Sequence, residues 1–89
     1  MSQERVAQIR ALLEREMAPE ALEVVDESHL HIGHAGARDG RGHFRIRISS
    51  SCLAGRTRLA RHRMIYQALG DMMETDIHAL TIEDDSGNE

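Results

Sequence analysis

Four histidines crowd one short stretch: His29, His31, His34 and His43. His62 and His78 stand further along, and the only cysteine is Cys52. Imidazole is the commonest metal ligand, offering a lone pair at Nδ1 or Nε2. Four of the seven glycines fall between His29 and Gly42. A glycine-rich loop can bend to present such rings, and His-rich tracts bind metal. The same residues also read as a solvated polar loop. A closed zinc site takes about four ligands, and none of the usual Cys/His spacings is present. A metal bound here would draw only part of its shell from this chain. His78 opens an apolar stretch, either as a ligand or as a half-buried ring with a satisfied hydrogen bond. His62 lies one turn before Ile65 on a helical apolar stripe, which predicts a packed core histidine.

A second chemistry sits in Arg56, Arg58, Arg61 and Arg63. Guanidinium groups fork onto phosphate or carboxylate oxygens, and the competing reading is a solvated helix face. The net charge of −4 argues against strong non-specific binding of nucleic acid and leaves room only for a local patch. Phe44 and Tyr66 are the only aromatics, too few for a base-stacking platform. All eleven basic residues are arginine, so Schiff-base lysine chemistry and a Walker-type phosphate loop are excluded. Cys52 follows three serines and reads as a small packing residue. One cysteine can form neither an internal disulfide nor an all-cysteine cluster site. Ser, His and Asp occur without a Gly-x-Ser-x-Gly elbow, and no pair of carboxylates stands out. A non-catalytic chain is expected.

The elements that must position these residues follow from periodicity. Val6, Ile9, Leu13 and Met17 predict a helix over residues 3–17, with Ser2 as N-cap and Pro19 as its stop. Residues 21–27 predict a strand. Phe44, Ile46 and Ile48 alternate with Arg45 and Arg47, predicting a second strand over 43–49 with one wet face. Thr57 caps a long helix over 58–74, with Ile65, Ala68, Leu69 and Met72 as its apolar stripe. A short helical turn fits near 53–57. A third strand covers 77–82, with His78, Leu80 and Ile82 on one side and Ile77, Ala79 and Thr81 on the other. The first two strands suit an antiparallel pair, and a helical crossover suits a parallel pair between the second and third. The chain therefore reads as one α+β domain over 1–83, a three-stranded mixed sheet with helices on one face, and a polar tail over 84–89 expected to be disordered. No apolar run approaches the roughly 18 residues of a membrane helix. The polar N-terminus without a secretory core predicts the cytoplasm.

Several separated segments resemble the BolA family. Leu22-Glu23-Val24-Val25-Asp26-Glu27-Ser28 is similar to its first strand, and His29-Leu30-His31-Ile32-Gly33-His34-Ala35-Gly36 to the following loop. His43-Phe44-Arg45, Gly55 with Arg61-His62-Arg63-Met64-Ile65-Tyr66, and Ile77-His78-Ala79-Leu80 resemble the second strand, the helix signature and the closing strand. Together they cover most of residues 4–82 in order. The resemblance implies a type II KH-like fold, αββααβ. It also implies a partner of a monothiol glutaredoxin that shares a 2Fe-2S cluster, in iron–sulfur trafficking or iron-linked regulation. The glutaredoxin and its glutathione would supply thiolates, and this chain histidine: His78 from the closing strand and His31 from the loop, with His34 in reserve. Histidine replaces thiolate on one iron of Rieske centres, so the chemistry is consistent. Such a chain is expected to be a monomer when free. Where the family has Phe-x-Gly before the helix, this chain has Leu53-Ala54-Gly55, and Leu53 is expected to fill the same apolar slot. Some relatives are described as transcriptional regulators, which makes DNA the alternative partner, through Arg56, Arg58, Arg61 and Arg63. Against KH-style binding, Gly33-His34-Ala35-Gly36 lies between two strands, and Gly55-Arg56-Thr57-Arg58 lacks the second glycine.

Overall fold

The computed structural model describes residues 2–28 and 40–87. Helix α1 (Ser2–Met17) is followed by strands β1 (Ala21–Asp26) and β2 (Gly42–Ser49), helices α2 (Arg58–Leu69) and α3 (Met72–Thr75), and strand β3 (Ile77–Asp84). The sheet order is β1-β2-β3, with β1 antiparallel and β3 parallel to β2. This is the α+β architecture with a mixed sheet that the periodicity predicts. No helix among the described residues is long and apolar enough to cross a membrane.

Strand β2 carries the core. Phe44, Ile46 and Ile48 are buried, and each contributes about 1.5–3 kcal/mol on leaving water. Ile9, Leu13 and Met17 of α1, Ile65 and Leu69 of α2, Met72, Ile77 and Leu53 close over them from one side. Leu53 is fully buried, so it fills the apolar slot expected of it. The opposite face of β2 holds Arg45, whose Nη1 meets Glu83 at 2.7 Å and whose Nε meets Glu27 at 2.8 Å. Arg47 meets Asp85 at 2.8 Å. Strand β1 is an edge, and Arg10 on α1 donates to the Leu22 carbonyl at 3.1 Å, occupying an acceptor of that strand.

Several expectations are corrected. Helix α1 begins at Ser2, one residue before the predicted start. The helix ends as Pro19 demands, with Ala18 at φ 44° in the left-handed region. The predicted helix over 58–74 is two helices. Gly70 turns to φ 56°, its N–H still donating to Tyr66 O at 2.9 Å, and α3 restarts beyond it. Residues 51–55 form hydrogen-bonded turns and no helix, so the short helix of the αββααβ order follows the long one. Thr57 does cap α2, accepting from Ala60 N–H at 3.1 Å.

The position one turn before Ile65 on the buried stripe of α2 is Arg61. His62 is half-buried beside it, with its ring edge-on to Tyr66, and the expectation of a core histidine is corrected. Arg61 donates from Nη1 to Asp84 at 2.8 Å and to Ser86 O at 3.3 Å, from Nε to Arg56 O at 2.9 Å, and from Nη2 to Gly87 O. Ser86 is buried, and its Oγ accepts from Ser50 N–H at 2.9 Å. Ser50 Oγ in turn donates to Met17 O at 2.7 Å. The tail expected to begin at 84 is therefore corrected: β3 runs through Asp84, and 85–87 bind back onto α2 and β2.

Breaking this network should be costly. Arg61→Ala removes the charged partner of a half-buried carboxylate and a donor to three carbonyls, and a loss of about 2–3 kcal/mol is expected in urea unfolding. Arg61→Lys should recover only part, because an ammonium lacks the planar fork. A loss under about 1 kcal/mol would show that the network is dispensable. Burial pushes the Asp84 carboxyl up, but hydrogen bonds from the Ser86 N–H and from Arg61 outweigh it and hold it below 3.8. A depressed carboxyl contributes stability above its unfolded value and loses it as pH falls through the folded one. The stability gap between the wild type and Asp84→Asn should therefore be constant near neutrality and shrink below about pH 4. A gap that widens on acidification would reverse the sign.

Candidate metal centre

His78 is the second residue of β3 and is exposed. What places it is an irregularity in the parallel pairing. Gly42 pairs with Ile77, but His43 pairs with Ala79, so one residue of β3 is taken up by a bulge. A strict period of two would put His78 with Leu80 and Ile82. The bulge instead lets Ile77, Leu80 and Ile82 all serve the core and turns His78 to the open side. The expected side assignment is corrected accordingly.

There His78 meets His43, the first alternate residue on the wet face of β2. Their ring centroids are 5.2 Å apart at an interplanar angle of 48°. Nη2 of Arg41 lies 3.2 Å from Nδ1 of His78. The strand start is held tightly. The Gly42 N–H donates to Asp76 O at 2.9 Å, and a Cβ on Gly42 would stand 2.7 Å from Ser28 Oγ and 2.8 Å from the Phe44 ring. Only glycine allows that approach. His43 N–H donates to Ser28 Oγ at 3.1 Å, Ser28 N–H to Asp26 Oδ1 at 2.8 Å, and Glu27 N–H to His43 O at 2.8 Å. The end of β1 and the start of β2 are thus tied beside the start of β3. In sequence, residues 29–39 connect these tied ends.

His31 and His34, with His29, lie outside the described residues. Of the histidines predicted to carry chemistry, the structure brings His78 and His43 together. No group of three or more His, Cys, Asp or Glu gathers as a metal site among the described residues. The donor chemistry is that of a partial shell: accessible imidazole, no thiolate nearby. Cys52 lies at the far end of β2, its Sγ 3.2 Å from Ser50 Oγ and 3.7 Å from Met17 O. At the rise of a strand that end is roughly 20 Å away. Cys52 is therefore remote from His78.

The arginine cluster also sits at the far end, where Asp84 closes β3. Arg56, Arg58, His62 and Ile82 line a cavity over the Arg61–Asp84 pair. Arg56, Arg58 and Arg63 are exposed, whereas Arg61 is buried and committed to four acceptors. Arg61 is removed from the predicted contact set for that reason. Arg41 is the residue that sequence reasoning missed. Its only signal is position, immediately before the strand that pairs in parallel with the one carrying His78.

Known proteins share the sequence pattern and the fold of this chain. The family model described as BolA-like protein matches residues 13–89. SufE-like protein 1 of Arabidopsis thaliana is 43% identical over 83 residues, covering 88% of this chain and 22% of that protein. The DNA-binding transcriptional regulator BolA of Escherichia coli is 42% identical over 64 residues, covering 72% of this chain and 58% of that one. The chain thus spans only part of the length of these relatives. The solved BolA domain of SufE1 from Arabidopsis thaliana superposes with a TM-score of 0.80 at 40% identity, covering 92% of this chain and 91% of that domain. Sequence and fold agree, and the chain belongs to the BolA-like family.

Proposed function

We propose that this protein is a non-catalytic partner of a monothiol glutaredoxin, with which it shares a 2Fe-2S cluster. The observation that carries the reading is the exposed His78, set beside His43 and next to the tied ends of the segment that contains His31 and His34. Cluster iron would take His78 and His31 from this chain, with His34 in reserve, and thiolates from the glutaredoxin and its glutathione. A bound cluster supplies an iron–sulfur unit that can be passed on or read as an iron signal, and its histidine ligation raises the reduction potential relative to thiolate. The chain's own part is to hold imidazoles at an accessible strand end and to leave the remaining positions open. Mixing the protein with a monothiol glutaredoxin, iron, sulfide and glutathione should give a visible absorption and circular dichroism spectrum distinct from that of the glutaredoxin homodimer. His78→Ala should shift that spectrum, and His62→Ala, at the other end of the sheet, should not. Identical spectra for the mixture and the homodimer would end the proposal.

A second reading has its own support, the E. coli relative named as a DNA-binding regulator at 42% identity. It would use Arg56, Arg58 and Arg63 at the end of the sheet remote from His78, without Arg61. With a net charge of −4, affinity for duplex DNA should fall steeply with salt. Each of Arg56→Ala, Arg58→Ala and Arg63→Ala should lower the slope of log K against log salt by about 1. Unchanged slopes in all three variants would leave this reading without a surface.

A further inference from the structure

The contact between Arg41 and His78 constrains where the imidazole carries its proton. A guanidinium can only donate. At 3.2 Å from Arg41 Nη2, Nδ1 of His78 must therefore accept, and it does so with its one lone pair. Accepting at Nδ1 leaves Nε2 as the ring nitrogen that carries a proton. A metal ion needs the lone pair of a neutral ring. If it binds at Nδ1, it takes the site that Arg41 occupies. If it binds at Nε2, the ring proton must move through solvent from Nε2 to Nδ1, where it would face another N–H across 3.2 Å. Both routes keep one proton on the ring, and both break the contact. A cation at the ring also repels the guanidinium directly.

We propose that Arg41 is a positioning residue that holds His78 closed to metal in the free chain and swings away when His78 becomes a ligand. The inference rests on the reading of His78 as a ligand and deepens it by naming what regulates that ring. The placement of Arg41 suits the role. On one side Gly42 is fixed by its bond to Asp76 O and by Ser28. On the other, Gly40 adopts φ 84°, and a Cβ there would meet no described residue within 4 Å. Displacing Arg41 therefore leaves the anchored strand in place.

The test uses the whole chain without glutaredoxin. Ring nitrogen shifts of His78, read by long-range 15N–1H correlation above about pH 8 where imidazoles are neutral, should give the Nε2–H form in the wild type and a mixture in Arg41→Ala. Titration with Ni2+ alone, followed by broadening of the His78 ring signals, should show binding about three- to tenfold tighter in Arg41→Ala, the worth of one hydrogen bond. The gain should persist at about 1 M salt, where the Debye length is about 3 Å. An Nδ1–H ring in the wild type, equal affinity in both proteins, or a gain that salt abolishes would each overturn the proposal. Nickel that broadens His78 in neither protein would instead sink the ligand reading, and the proposal with it.

Discussion

Strand β2 is paired on both edges, antiparallel to β1 and parallel to β3, and the rest of the molecule is arranged by that double commitment. One face of the strand supplies Phe44, Ile46 and Ile48 to the core, so a shift of one residue would carry all three into water. The register is therefore fixed by burial energy. The parallel partner must start where β2 starts, which brings Gly42 against Ile77 and sets His78 next to His43. A crossover of two helices is the connection that parallel pairing requires, and those helices cover the core face. The other face stays open and is laced with ion pairs from Arg45 and Arg47.

The same topology separates two chemistries. Both strands run from the histidine end of the sheet to the arginine end. At the first end stand the exposed His78 imidazole, the half-buried His43 and a tightly held glycine. At the second, Arg61 is driven inward by the helical period and is tolerated because it finds a carboxylate and three carbonyls. A buried charge without such partners would cost several kcal/mol. That need is what draws residues 85–87 back onto the body of the domain. Structure and binding thus divide the arginines: Arg61 joins elements, and Arg56, Arg58 and Arg63 face solvent.

Much of this was legible in the residues. The alternation around Phe44, the stripe from Val6 to Met17, the stop at Pro19 and the cap at Thr57 each encode a local geometry, and each reappears in the fold. The separated segments that resemble the BolA family stand in the same order as its elements, and the family assignment follows. The errors share a cause. Gly70 breaks a helix whose apolar spacing continues through Met72, so periodicity alone runs past it. His62 and Arg61 are adjacent, and which of them turns inward depends on whether a partner such as Asp84 waits there. A polar run such as Asp84-Asp85-Ser86-Gly87 reads as a tail unless its acceptors are known to be needed.

By itself the sequence determined which residue types were available and which local shapes they prefer: histidine rather than thiolate donors, arginine rather than lysine, three strands and a capped helix. Those properties depend on neighbours a few positions away, through backbone sterics and the periods of helix and strand. The tertiary structure decided which side of the sheet His78 occupies, that Arg41 holds its Nδ1, and that Arg61 is buried. Each of these depends on a contact between residues more than twenty positions apart, or on a bulge that changes the strand period. No local preference encodes such a contact, because its free energy exists only once both strands and the helix have packed.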